Sequence, residues 1–113
     1  MFVAWTTVAK TEDAARLARG AVDARLAACV QVEGPVTSHY RWQDRHEEAP
    51  EYRLLFKFLP EQADALEAWI LARHPYETPE WVVVRAERVS GKYLSWARAT
   101  SKSAPSRNPQ SPA

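Results

Sequence analysis

The chain has 113 residues, 46% hydrophobic and 26% charged, with a formal net charge of +1. That is ordinary usage for one small domain, and it speaks against a nucleic-acid binder, whose footprint is a basic excess. The single cysteine, Cys29, excludes an internal disulfide and fits a reducing cytoplasm, while no stretch approaches the ~20 apolar residues that span a bilayer.

Residues 2–8 are β-branched and aromatic and read as a strand rather than a signal peptide, since no basic region precedes a long apolar run. Thr11 is the expected N-cap of a helix whose first turn carries Glu12 and Asp13. Ala14, Leu17, Ala18, Ala21, Val22 and Leu26 recur at gaps of three and four and make its inner face. Gly20 interrupts that helix at a cost of roughly 1 kcal/mol against Ala, which close packing on the sheet would explain. Residues 28–42 return to strand character, broken by Gly34-Pro35. Proline in a strand belongs at an edge or a bulge, so a long bent edge strand is expected.

Gln43-Asp44-Arg45 reads as a hairpin turn. In the next strand, 51–59, Tyr52, Leu54, Phe56 and Phe58 share one face, with Arg53, Leu55, Lys57 and Leu59 on the other. Pro60 suits a first helical turn. Ala63, Leu66, Trp69, Ile70 and Arg73 follow helical spacing until Pro75 forces a stop. Residues 81–85 make a fourth strand. Residues 92–98 read as a short helix with Tyr93, Leu94 and Trp96 or Ala97 facing inward. From residue 100 the chain is Ser- and Pro-rich and is expected to be disordered, leaving 1–99 as the folded domain.

The order β-α-β-β-α-β predicts an α+β, ferredoxin-like sandwich with a long hairpin between its second and third strands. Both crossover helices cover one face of an antiparallel sheet, and the other face stays bare. A bare face rich in Trp and Tyr beside a protruding hairpin is an expected surface for self-association.

Four segments carry a resemblance: LAACV at 26–30, YRW at 40–42, HPYETPE at 74–80 and YLSW at 93–96. Together they resemble the CutA divalent-cation tolerance family, from about Val3 to Trp96. The resemblance implies a tight homotrimer built like the PII signalling proteins, a cytoplasmic setting, and a link to copper and other divalent metals. Asp44 stands where many relatives have Gly, and His46 where they have an apolar residue, so the hairpin tip is more polar here. Where some relatives carry a metal-binding Cys and His, this chain has Trp5 and Arg73, and of that set Glu80 is in place.

The candidate metal ligands are therefore Glu80, His74 and Cys29, for copper or another divalent ion. Each has a plainer reading. Cys29 follows two alanines where helix meets strand, and a packed thiol is favoured. His74 ends a helix, where hydrogen bonding or capping is favoured. Glu47, Glu48 and Glu77 default to solvated charge, whereas the rigid X-Pro-Glu context sets the direction of Glu80. Lys57 reads as an ion-pair former. His39 and His46 fall on the hairpin without the spacing of a closed zinc site. The aromatic residues suit core and interface better than base stacking. No nucleophile elbow or phosphate-cradling loop is visible, so a non-enzymatic role is expected. The alternative is a PII-like sensor of a small anionic ligand, with a basic cleft between subunits near Lys57 and Arg85. An acylphosphatase-like hydrolase lacks its phosphate loop, because Val8-Ala9-Lys10-Thr11 does not supply one.

Overall fold

The computed structural model describes residues 1–101. Its elements are β1 (Phe2–Val8), α1 (Thr11–Asp23), β2 (Cys29–Trp42), β3 (Arg45–Phe58), a 3-10 turn (Pro60–Gln62), α2 (Ala63–Arg73), β4 (Val82–Arg85) and α3 (Gly91–Thr100). The four strands form one antiparallel sheet in the order β2-β3-β1-β4. Each helical crossover therefore steps over one strand, which is the ferredoxin-like arrangement expected from the element order. The disorder expected for 100–113 falls, from residue 102 on, outside the described residues; Thr100 itself closes α3.

Period two divides the sheet into two unlike faces. Ala4, Val8, Leu54, Phe56 and Phe58 are fully buried against α1 and α2, which contribute Ala14, Leu17, Ala21, Leu66 and Ile70. Val22, assigned to the inner face by its spacing, is exposed. Gly20 serves the contact between the helices rather than the sheet. A Cβ there would meet the Trp69 ring at 2.6 Å, so only glycine lets the Trp69 ring of α2 lie this close to α1.

Thr11 is the first residue of α1 and Lys10 its cap, with no side-chain capping bond; the Thr11 hydroxyl bonds Glu12 instead. At the other end the amides of Arg25 and Leu26 donate to the carbonyls of Val22 and Ala21 at 2.9 and 3.0 Å. That is a Schellman closure. It places Arg25 at φ 61, where glycine is the usual occupant. Leu26 is thereby turned back onto the core.

The hairpin is longer on its return arm than expected. β3 begins at Arg45, not at 51, so both arms have 14 residues and reach about 45 Å at ~3.3 Å per residue. The turn is the pair Gln43 and Asp44, at φ 52 and 61, the double positive-φ geometry that matches strand twist. β2 is the edge strand, as Pro35 requires. Its register shifts between Glu33 and Val36, around a cis Gly34-Pro35 bond and a Gly34 at φ 140.

The opposite face is not wholly bare. α3 lies over one end of it, where Ala97 joins Ala28 and Leu59, with Met1 and Leu94 alongside, and the Lys57 ammonium sits 5.8 Å from the Tyr93 ring centroid. Trp96, an alternative inward residue, is 46% exposed. Beyond α3, the register places Val3, Trp5, Leu55, Val82 and Val84 on this face. Nothing among the described residues covers Val82 and Val84, 49% and 44% exposed. No helix among the described residues is long and apolar enough to cross a membrane.

Candidate functional site

Where β1 gives way to α1, the outer half of the hairpin and the loop after α2 enclose an open cleft of about 840 Å³. Pro75 ends α2 and makes the chain extended at His74. Pro79 stiffens the run into Glu80. This loop is tied down by one chain of hydrogen bonds. The Tyr76 amide donates to His74 Nδ1 at 3.1 Å. His74 Nε2, which then carries the proton, donates to the Thr6 hydroxyl at 2.9 Å. Thr6, fully buried on β1, donates onward to the Glu80 carbonyl at 2.6 Å. The Tyr76 hydroxyl donates to Glu51 Oε2 at 2.5 Å.

Burial holds the His74 imidazole below its usual range, opposed by a backbone hydrogen bond at Thr7. The neutral ring is the form that can accept from Tyr76 and donate to Thr6 at once. Desolvation, with the Glu51 carboxylate as partner, pushes the Tyr76 phenol far up. Tyr76 thus stays a donor, and Glu51, almost fully buried, keeps an acceptor role.

The wall of the cleft is aromatic on the hairpin side, through Tyr40 and Trp42, and acidic on the loop side, through Glu77 and Glu80. Both of these glutamates are exposed. Such a surface attracts cations, by charge and by the faces of the rings.

The three residues singled out as ligands take different places. Glu80 lines the cleft, and its backbone carbonyl anchors the loop. His74 has both ring nitrogens engaged. Cys29 pairs in register with Lys57, beside Tyr93, whose phenol is raised by burial and by the Cys29 thiol. That thiol is half-buried rather than packed away. Its row on the sheet is that of Val3, three residues along β1 from Thr6, or about 10 Å. Among the described residues, no three His, Cys, Asp or Glu side chains gather as a metal cluster. A single chain therefore supplies acidic walls but no closed coordination sphere.

Lys57 and Arg85 are not brought together. Lys57 lies on the α3 side, whereas the Arg85 guanidinium is 4.9 Å from the Phe2 ring centroid on the helix-covered side. Thr6 and Glu51 were not anticipated from the sequence. A polar residue in an apolar strand was the available signal for Thr6; Glu51 gave none, since its role depends on a loop 25 residues away.

Residues 2–100 match the family model described as CutA1 divalent ion tolerance protein. The chain belongs to the CutA1 family. It is 38% identical over 87 residues to the divalent-cation tolerance protein CutA of Yersinia pestis, covering 77% of this chain and 73% of that one. It is 33% identical over 100 residues to protein CutA of Homo sapiens, covering 88% of this chain. The chain spans 56% of the human protein's length. Among solved structures, the divalent cation tolerance protein of Thermus thermophilus superposes with a TM-score of 0.85 at 36% identity, covering 90% of this chain and all of the other. The α+β sandwich is thus a CutA1 fold, and the 74–80 loop described above lies inside the matched region.

Proposed function

We propose that the chain is a non-enzymatic, cytoplasmic divalent-cation tolerance protein that works as a homotrimer and holds its cation in clefts between subunits. The observation that carries this reading is an acid-lined cleft together with a sheet face that the described residues leave uncovered. Burying Trp5, Leu55, Val82 and Val84 against other copies contributes about 25 cal/mol per Å² removed from water. The same association brings a second subunit's donors to the edge of a cleft that is incomplete in one chain.

In this reading Glu80, with Glu77, faces the ion. His74 contributes by fixing the loop that carries them. Cys29 stands apart, as a soft donor on the α3 side that copper, rather than a harder ion, would favour. The acidic wall, and the separation of Lys57 from Arg85, favour a cation over the small anion of a PII-like sensor.

Calorimetric titration of the full chain with Cu(II) and Zn(II) tests the reading. Binding tighter than millimolar that weakens in Glu80→Gln is expected. Affinity no better than millimolar, or a Glu80→Gln variant that binds like the wild type, would remove the cleft as the cation site.

A further inference from the structure

Two histidines meet on the hairpin arms, and one of them, His39, also borders the cleft. His39 lies on β2 and His46 on β3; in the register His39 faces Glu48 and His46 faces Arg41, so the two are diagonal neighbours on one face of the ribbon. His39 Nδ1 and His46 Nε2 are 3.0 Å apart, with ring centroids at 5.2 Å and planes at 68°. Both side chains are exposed.

We propose that this pair is a chelating site for a borderline divalent transition ion of the Cu(II), Ni(II) or Zn(II) class, centred on the hairpin and using neither Glu77 nor Glu80 of the cleft. Metal–imidazole bonds of about 2.0–2.1 Å put two cis nitrogens about 2.9 Å apart at a right angle and about 3.4 Å apart in a tetrahedron. The observed spacing sits at the right-angle end of this range, which square-planar or tetragonal ions adopt. Seating the ion needs rotation of the two rings and no movement of backbone, because the two-residue turn at Gln43 and Asp44 already fixes the register. In the free state one ring donates N–H to the other. When the ion binds, the donor ring changes tautomer, moving its proton to its outer nitrogen. Two nitrogen–metal bonds replace one hydrogen bond, and no net proton is lost.

The charge around the pair selects the kind of ion. Arg41 stands directly opposite His46, and the neighbouring carboxylate is the single Glu48 opposite His39. Calcium and magnesium require a set of oxygen donors that is not present here. An ion held by covalent affinity for imidazole tolerates the guanidinium and ranks Cu(II) above Ni(II) and Zn(II). Its remaining positions are left to water or to a donor from another copy.

Titration of the full chain with Ni(II) and with Zn(II), followed by calorimetry and by the imidazole resonances, tests the site. The wild type should take one ion per chain in the micromolar range. His39→Asn and His46→Asn should each weaken it by about a hundredfold, the loss of one arm of a pre-arranged pair. Zn(II) should move the His39 and His46 ring signals and leave His74, whose two nitrogens are engaged, in place. With Cu(II), the electron spin resonance of the wild type should show coupling to two imidazole nitrogens, a readout that needs no variant. Unchanged binding in both asparagine variants, or ring signals of His39 and His46 that stay still at one equivalent of Zn(II), would overturn the proposal. Sensitivity to Glu80→Gln alone would do the same while leaving the cleft reading intact; sensitivity to the histidines alone would support the hairpin site and fail the cleft.

Discussion

The two faces of one sheet are built from the same strands and differ in how far the described residues cover them. On the face toward α1 and α2, Leu54, Phe56 and Phe58 are wholly buried by their own chain. On the other, which carries the residues one step along, such as Leu55 and Val84, α3 covers one end, and among the described residues no other helix covers the rest. In the proposed trimer, folding and assembly are encoded in alternate residues of a strand. On that proposal, a substitution at position i acts on the fold of one chain, and the same substitution at i+1 acts on the association of several.

Phe56→Ala should break the covered face, with a loss of about 3–5 kcal/mol in urea unfolding. Leu55→Glu and Val84→Glu should leave far-UV circular dichroism intact and reduce the sedimenting species to a monomer, because a buried unpaired carboxylate penalises the interface alone. If either glutamate variant unfolds the chain, the two faces are not independent. Gly20→Ala should cost about 1–3 kcal/mol by driving a methyl into the Trp69 ring, even though alanine is the better helix former. A stabilised variant would show that α1 and α2 have room to separate. Arg25→Gly should raise stability by about 1 kcal/mol, since it relieves a left-handed non-glycine residue in the Schellman closure.

The smallest expected effect concerns pH. Burial holds His74 in the folded state below the ordinary imidazole value of about 6.5, so the unfolded chain binds its proton first as pH falls. Stability is therefore full above about 6.5 and declines below it, as protonation removes the acceptor for the Tyr76 amide. His74→Asn should flatten that decline between about pH 7 and pH 5 in thermal melts. A slope identical to the wild type would assign the pH response elsewhere.

The covered face was legible from the sequence because its signal is local. Alternation at 52, 54, 56 and 58, helical spacing at 63, 66 and 70, and Pro75 as a stop all speak within a few residues of themselves. The early start of β3 was missed because Arg45 to Pro50 is polar, and its pairing comes from β2 rather than from its own propensity. Gly20 was assigned to the wrong neighbour, since spacing locates a helix face without saying which element packs on it. At the site, His74 and Glu80 could be singled out, yet the bonds through Thr6 and Glu51 join residues up to 74 apart. The meeting of His39 and His46 needed the two-residue turn, which sets the register and cannot be distinguished from a three-residue turn by composition.

The most direct measurement is sedimentation equilibrium of the full chain at micromolar concentration. A mass of three chains, falling to one in Leu55→Glu, is the result expected if other copies shelter the uncovered half of the sheet. A wild-type mass of a single 12.8 kDa chain would contradict it.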